Sequence, residues 1–114
     1  MEVILGISTH VLDTARGRPA AGVAVRLERL EGSSWEVLGS VTSDPDGRAR
    51  FLSEAHAAPG TYRLRFEVAA HFAAGGEPGF FPFVEVAFNV TGGRAQHHVP
   101  LLLGPYGYTT YLGS

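Results

Sequence analysis

Short alternating runs of apolar and polar residues, cut at close intervals by Gly, Pro, Asp and Ser, run the length of this chain. A run with a period of two has one face for a core and one for solvent, which makes it a strand and not a helix. The clearest is Thr61 to Val68, where Tyr62, Leu64, Phe66 and Val68 alternate with Thr61, Arg63, Arg65 and Glu67. Gly22 to Leu27 repeats the pattern with Val23, Val25 and Leu27 inward. Val3 to Val11, Trp35 to Val41, Arg48 to Leu52, Val84 to Val90, Ala95 to Leu103 and Tyr106 to Leu112 read as further strands. Breakers separate them: Gly17 to Pro19, Gly32 to Ser34, Asp44 to Gly47, Pro59 with Gly60, and Gly92 with Gly93. One segment departs from the pattern. Ala69 to Ala74 consists mostly of strong helix formers stopped by Gly75 and Gly76, and predicts one short helix. The chain is therefore expected to be all-β, two antiparallel sheets packed as a β-sandwich.

With 114 residues there is room for a single domain, 1–114, and no second one. A hydrophobic fraction of 45% against 18% charged residues excludes a disordered chain. No stretch approaches the roughly 20 apolar residues of a membrane span, so no membrane partner is expected. The net charge of −2 leaves no positive excess to neutralise phosphates, and no nucleic-acid partner is expected either. Cysteine is absent, which removes disulfides, thiolate metal sites and cysteine nucleophiles together. No basic residue precedes the apolar run after Met1, unlike a secretory leader, and a cytoplasmic protein is the expectation.

Strand alternation also sorts the polar residues. Gly6, Ser8 and His10 share one face of the first strand, too small and polar for a sandwich core, and suited to a ligand channel or a close subunit contact. Gln96, His98, Pro100 and Leu102 share a face late in the chain. His97, Val99 and Leu101 take the opposite one, so His97 and His98 cannot both serve one site. Phosphate loops, paired cysteines, Gly-x-Ser-x-Gly and His-Glu-x-x-His are all missing. What remains is five histidines, Arg48 after the Asp46–Gly47 turn, and a closing stretch rich in Tyr, Thr, Gly and Ser. Alone, His10 reads as a structural or exposed histidine, Arg48 as a solvated arginine, and Tyr106, Tyr108 and Tyr111 as core or interface aromatics. His10 with His98 lacks a third ligand at a readable spacing, so no metal and no cofactor are expected. These residues by themselves lead to a β-sandwich with a polar site.

The closing string HHVPLLLGPYGYTTYLGS resembles the end of the transthyretin-like 5-hydroxyisourate hydrolases, Pro-Leu-Leu-Leu-Ser-Pro-Tyr-Gly-Tyr-Ser-Thr-Tyr-Arg-Gly-Ser. ISTHVLDTARGRPAAGVAVRLERL resembles that family's first two strands, and TSDPDGRARF its Asp-Gly-Arg turn. GTYRLRFEVAAHF and FFPFVEVAF resemble the strands flanking its short helix. The resemblance implies a prealbumin/transthyretin-like β-sandwich of two four-stranded sheets with one short helix, assembled as a homotetramer around a central channel. It implies hydrolysis of 5-hydroxyisourate, the product of urate oxidation, to 2-oxo-4-hydroxy-4-carboxy-5-ureidoimidazoline. Matched residue by residue, the catalytic set is His10, Arg48 and His98, and the closing Tyr-x-Gly-Ser is Tyr111, Gly113 and Ser114.

In that fold one sheet is ordered fourth, first, seventh, eighth strand, which would carry Arg48, His10, His98 and Tyr111 in turn. Strands about 4.8 Å apart would gather the groups across roughly 15 Å, the scale of a flat bicyclic purine derivative. The implied chemistry is a histidine taking a proton from water, a histidine donating one to the leaving nitrogen, and Arg48 holding the substrate and the oxyanion. Which of His10 and His98 is the base stays open. Arg48, Tyr111 and Ser114, with its terminal carboxylate, would position substrate or water. The chain departs from the family pattern at Gln96, His97, Gly104 and Leu112, where His, Tyr, Ser and Arg are usual. Two alternatives belong to other classes: a transthyretin-type carrier of small ligands, which lacks this histidine and tetrapeptide set, and a non-catalytic interaction module.

Overall fold

The structure, a computed structural model, describes residues 6–52, 58–92 and 94–114; Val3 to Leu5 of the first expected strand and Gly93 lie outside them. Two sheets face each other. In the first, β1 (Gly6–Asp13) is the central strand. Along one edge it pairs antiparallel with β5 (Arg48–Leu52) and then with the two-residue β2 (Arg18–Pro19). Along the other it runs parallel to β8 (Gln96–His98) and β9 (Leu101–Leu103), and β10 (Tyr108–Thr110) closes that side on β9. The six short strands thus form four rows, in the order expected from the resemblance.

The strand expected over Ala95 to Leu103 is broken in two. Pro100 has no N–H to give to a ladder, and a central strand cannot continue through it. The gap is filled from β1: the Val99 N–H donates to the Ser8 carbonyl (2.8 Å), and the buried Thr9 hydroxyl donates to the Val99 carbonyl (2.6 Å). Register survives the break, with Ser8 opposite His98 and Val11 opposite Leu101. That continuity fixes which face His98 takes.

The second sheet is antiparallel, ordered β4 (Ser34–Thr42), β3 (Ala24–Glu31), β6 (Gly60–Phe66), β7 (Val84–Val90). Its inner residues Val25, Leu27, Tyr62, Leu64, Phe66 and Val84 meet Ile7, Val11, Phe51, Leu101 and Leu103 from the first sheet, all buried. Each such side chain contributes about 1.5–3 kcal/mol by leaving water. The outward residues of β3, β6 and β7 make a ladder of ion pairs centred on the buried Glu28, to which Arg63 donates at 2.8 Å.

The expected helix is present as α1 (Ala69–Ala74). Six residues are too few to hold a helix without tertiary support. Phe72 supplies that support from the core, and His71 Nε2 meets the buried Asp13 carboxylate at 2.7 Å. Burial works against the Asp13 charge, but hydrogen bonds from His71 and the Arg16 backbone outweigh it and hold the carboxyl below its ordinary range. Among the described residues no helix is long and apolar enough to cross a membrane.

Candidate active site

The outer face of the first sheet carries a cleft of about 250 Å³, lined by Ser8, Arg48, Arg50, Gln96, His98 and Ser114 among others. Each side chain arrives there for a local reason. Arg48 follows a turn clamped by one carboxylate: Asp44 Oδ1 accepts from the backbone N–H of Asp46 and of Arg48, both at 2.9 Å. Gly47 takes φ of 80°, and a Cβ there would sit 2.4 Å from the Val11 carbonyl oxygen. Only glycine fits that approach. The Val11 N–H donates to the Gly47 carbonyl (2.7 Å), which docks the turn on β1 and sets Arg48 directly opposite His10.

His10 Nε2 lies 2.8 Å from the Asp46 carbonyl. A carbonyl only accepts, so Nε2 carries the proton, and Nδ1 is the acceptor of the neutral ring. His98 Nδ1 meets the Ser8 hydroxyl at 2.9 Å, leaving Nε2 for other partners. Burial lowers the His98 pKa below its ordinary value, and the charges of Arg48, His10 and Arg50 push the same way. His98 is therefore held neutral at physiological pH.

Ser114 reaches the cleft because the chain end folds back on His98. The Gly113 N–H donates to the His98 carbonyl (2.7 Å), forming a single antiparallel bridge. A Cβ on Gly113 would stand 2.6 Å from His98 Cδ2, so the glycine lets the backbone lie flat against the imidazole.

Arg48, His98 and Ser114 thus line one cleft, with His10 beside it on the same face. Tyr111 is elsewhere. It lines a second, mainly apolar hollow of about 340 Å³ with Val86, Phe88, Arg94, His97 and Leu112. His97 is buried there, on the opposite side of the sheet from His98. Its pKa is lowered by burial and by the Arg94 charge, and its Nδ1 has no hydrogen-bond partner. Leu112, where the family pattern has arginine, is 59% exposed over this hollow. Among the described residues no three His, Asp or Glu side chains come close enough to hold a metal ion.

Alternation had set Ser8 and Gln96 on the faces of His10 and His98 but assigned them no role. Arg50 was missed altogether, although its spacing of two from Arg48 puts it on the same face. A neutral imidazole, two guanidinium groups and two hydroxyls in one cleft suit proton transfer from water beside a developing negative charge.

The model of the HIUase/transthyretin family matches residues 7–113. The chain belongs to that family. It is 45% identical over 113 residues to the 5-hydroxyisourate hydrolase of Caulobacter vibrioides, covering 96% of this chain and 98% of the relative. The structure of Klebsiella pneumoniae 5-hydroxyisourate hydrolase superposes with a TM-score of 0.83 at 37% identity, over 96% of this chain and 99% of the other. Sea bream transthyretin, solved in complex with thyroxine, superposes with a TM-score of 0.86 at 27% identity, over 94% and 93% of the two chains. The family's sandwich is the one observed here, and its closing tetrapeptide places Ser114 at the cleft while Tyr111 turns to the other side.

Proposed function

We propose that this protein is a 5-hydroxyisourate hydrolase of urate breakdown, opening the six-membered ring to give 2-oxo-4-hydroxy-4-carboxy-5-ureidoimidazoline. The observation that carries the reading is the meeting of Arg48, His98 and Ser114 in one cleft, with His10 opposite Arg48. The geometry favours His98 as the base, because burial and Arg48 keep its ring neutral. His98 takes a proton from water as the oxygen attacks the amide carbonyl, and Arg48 holds the oxyanion that forms. The C–N bond then breaks, the departing ring nitrogen receives the proton from His98, and the carbonyl carbon stays on the five-membered ring as a carboxylic acid that ionises to a carboxylate. His10, anchored through Nε2 on the Asp46 carbonyl, keeps Nδ1 as an acceptor that orders the water. No metal or cofactor takes part in these steps.

The working form in this reading is a homotetramer in the cytoplasm. Gly6, Ser8 and His10 leave a polar face that needs a cover to exclude water from the cleft. Both β7 and β10 are sheet edges, and Tyr106, Tyr111 and Leu112 beside them are exposed in the single chain. Such edges and aromatics are suited to meeting other copies. Tyr111 would reach substrate where a neighbouring subunit brings its closing tetrapeptide against a cleft; Ser114 does so within its own chain. The test is the ultraviolet decay of freshly generated 5-hydroxyisourate with and without protein. Acceleration over the spontaneous rate is expected, and its absence overturns the reading.

A further inference from the structure

Arg50 stands two residues after Arg48 on the same face of β5 and lines the same cleft. Its register partner on β1 is Ser8, and the partner of Ser8 on the other side is His98. Arg50, Ser8 and His98 therefore form one row across three strands, with Arg48 and His10 in a neighbouring row on that face. Within the row, Ser8 already holds the His98 ring at 2.9 Å. Arg50 thus shares the row of His98, with Ser8 between them.

Among the described residues no carboxylate pairs with its charge either. Arg16, Arg26, Arg29, Arg63 and Arg65 each pair with a carboxylate; among the described residues Arg18, Arg48, Arg50 and Arg94 do not, and of these Arg48 and Arg50 share one cleft. Same-face residues two apart on a strand stand about 7 Å from one another, so these two cations repel. An anion entering the cleft relieves that repulsion and offers acceptors to two planar donor forks. A flat heterocycle with oxygens at both ends, each sharing its negative charge, spans such a pair.

We propose that Arg50 is a second anion anchor of this cleft, gripping the edge of a planar anionic heterocycle opposite the edge held by Arg48, and that it sets affinity rather than the rate of proton transfer. The identity of the turned-over ligand rests on the hydrolase reading above; the anchor itself does not. The test compares Arg50→Gln and Arg50→Lys with Arg18→Gln, an exposed arginine in register with Asp13 at the far end of β1. One readout is KM and kcat for 5-hydroxyisourate. The other is the Kd of urate, a stable planar anionic purine, by calorimetry at low and high salt. Arg50→Gln is expected to raise KM and the urate Kd about tenfold, to change kcat less than about threefold, and to flatten the salt dependence. Arg50→Lys recovers part of the affinity, and Arg18→Gln changes neither value. Wild-type KM and urate affinity in Arg50→Gln overturn the anchor, as does a fall in kcat at unchanged KM. If the wild type leaves hydroxyisourate decay unaccelerated but binds urate through Arg50, the hydrolase reading falls and the anchor stands.

Discussion

The two outer faces of the sandwich both carry arginines, and they differ in what those arginines meet. On the second sheet Arg63 and Arg26 reach Glu28 at 2.8 and 3.5 Å, and Arg65 reaches Glu67 at 2.7 Å. Arg63 also lies 4.2 Å from the centre of the Trp35 ring and Arg65 3.7 Å from that of Phe83. Every one of these charges is answered by a carboxylate within the chain. On the first sheet Arg48 and Arg50 face a cleft with a neutral imidazole and no carboxylate partner among the described residues. An arginine count alone does not separate the two faces. Where the counter-charges lie does.

The contrast breaks most sharply at His98. His98→Asn removes the titrating nitrogen and should lower kcat on the order of 10²–10⁴-fold with the fold intact by circular dichroism. His97→Asn, on the opposite side of the sheet, should leave kcat within about threefold, because it touches packing and not proton transfer. Equal losses at both positions would show that the cleft is not the reaction site. Next in size is Arg48→Gln. Removing one preorganised donor to an oxyanion should lower kcat about 10²–10³-fold, measured by the same decay assay.

A pH profile sharpens the electrostatic half of the comparison. A base works only while neutral, and burial and Arg48 lower the His98 pKa from 6.5. The kcat/KM should therefore stay level across neutrality and fall about tenfold per pH unit once the pH drops below that depressed value. A limb centred above 6.5 would contradict the environment assigned to His98. Arg48→Gln should move the limb upward, since one of the charges opposing protonation is gone.

The smallest effect is expected on the answered face. The Arg63 hydrogen bond outweighs burial and holds Glu28 below its ordinary carboxylate range. A carboxylate lowered on folding adds stability above its unfolded pKa and loses it as the pH falls through its folded one. Glu28→Gln should cost about 1–2 kcal/mol in urea unfolding at pH 7, flatten the acid side of the stability curve, and leave kcat unchanged. A loss of activity without a loss of stability would mean that this face also takes part in function.

Much of the site was legible because a strand has a period of two. That rule set His97 against His98 and put Gly6, Ser8 and His10 on one side, whereas the place of Arg48 beside β1 came from the family's strand order. The closing tetrapeptide was legible only in part. Its residues lie on a short stretch after β10, where alternation ends and a single backbone bridge from Gly113 to His98 takes over. No periodicity predicts that bridge; the resemblance groups Tyr111 with Ser114, and within the single chain Tyr111 lies over the hollow beside His97.

The sequence by itself determined the all-β class, the short helix and the faces of the strand residues, since each follows from local spacing and from Gly and Pro backbone preferences. Tertiary structure decided what depends on distant partners. Thr9 closes the gap that Pro100 opens, ninety residues along the chain in bonding to Val99. Ser8 joins Arg50 and His98 into one row, and burial with Arg48 keeps His98 neutral. These are properties of strands brought together across the fold, and an arginine becomes part of a site, or part of a wall, according to which carboxylates that assembly leaves within its reach.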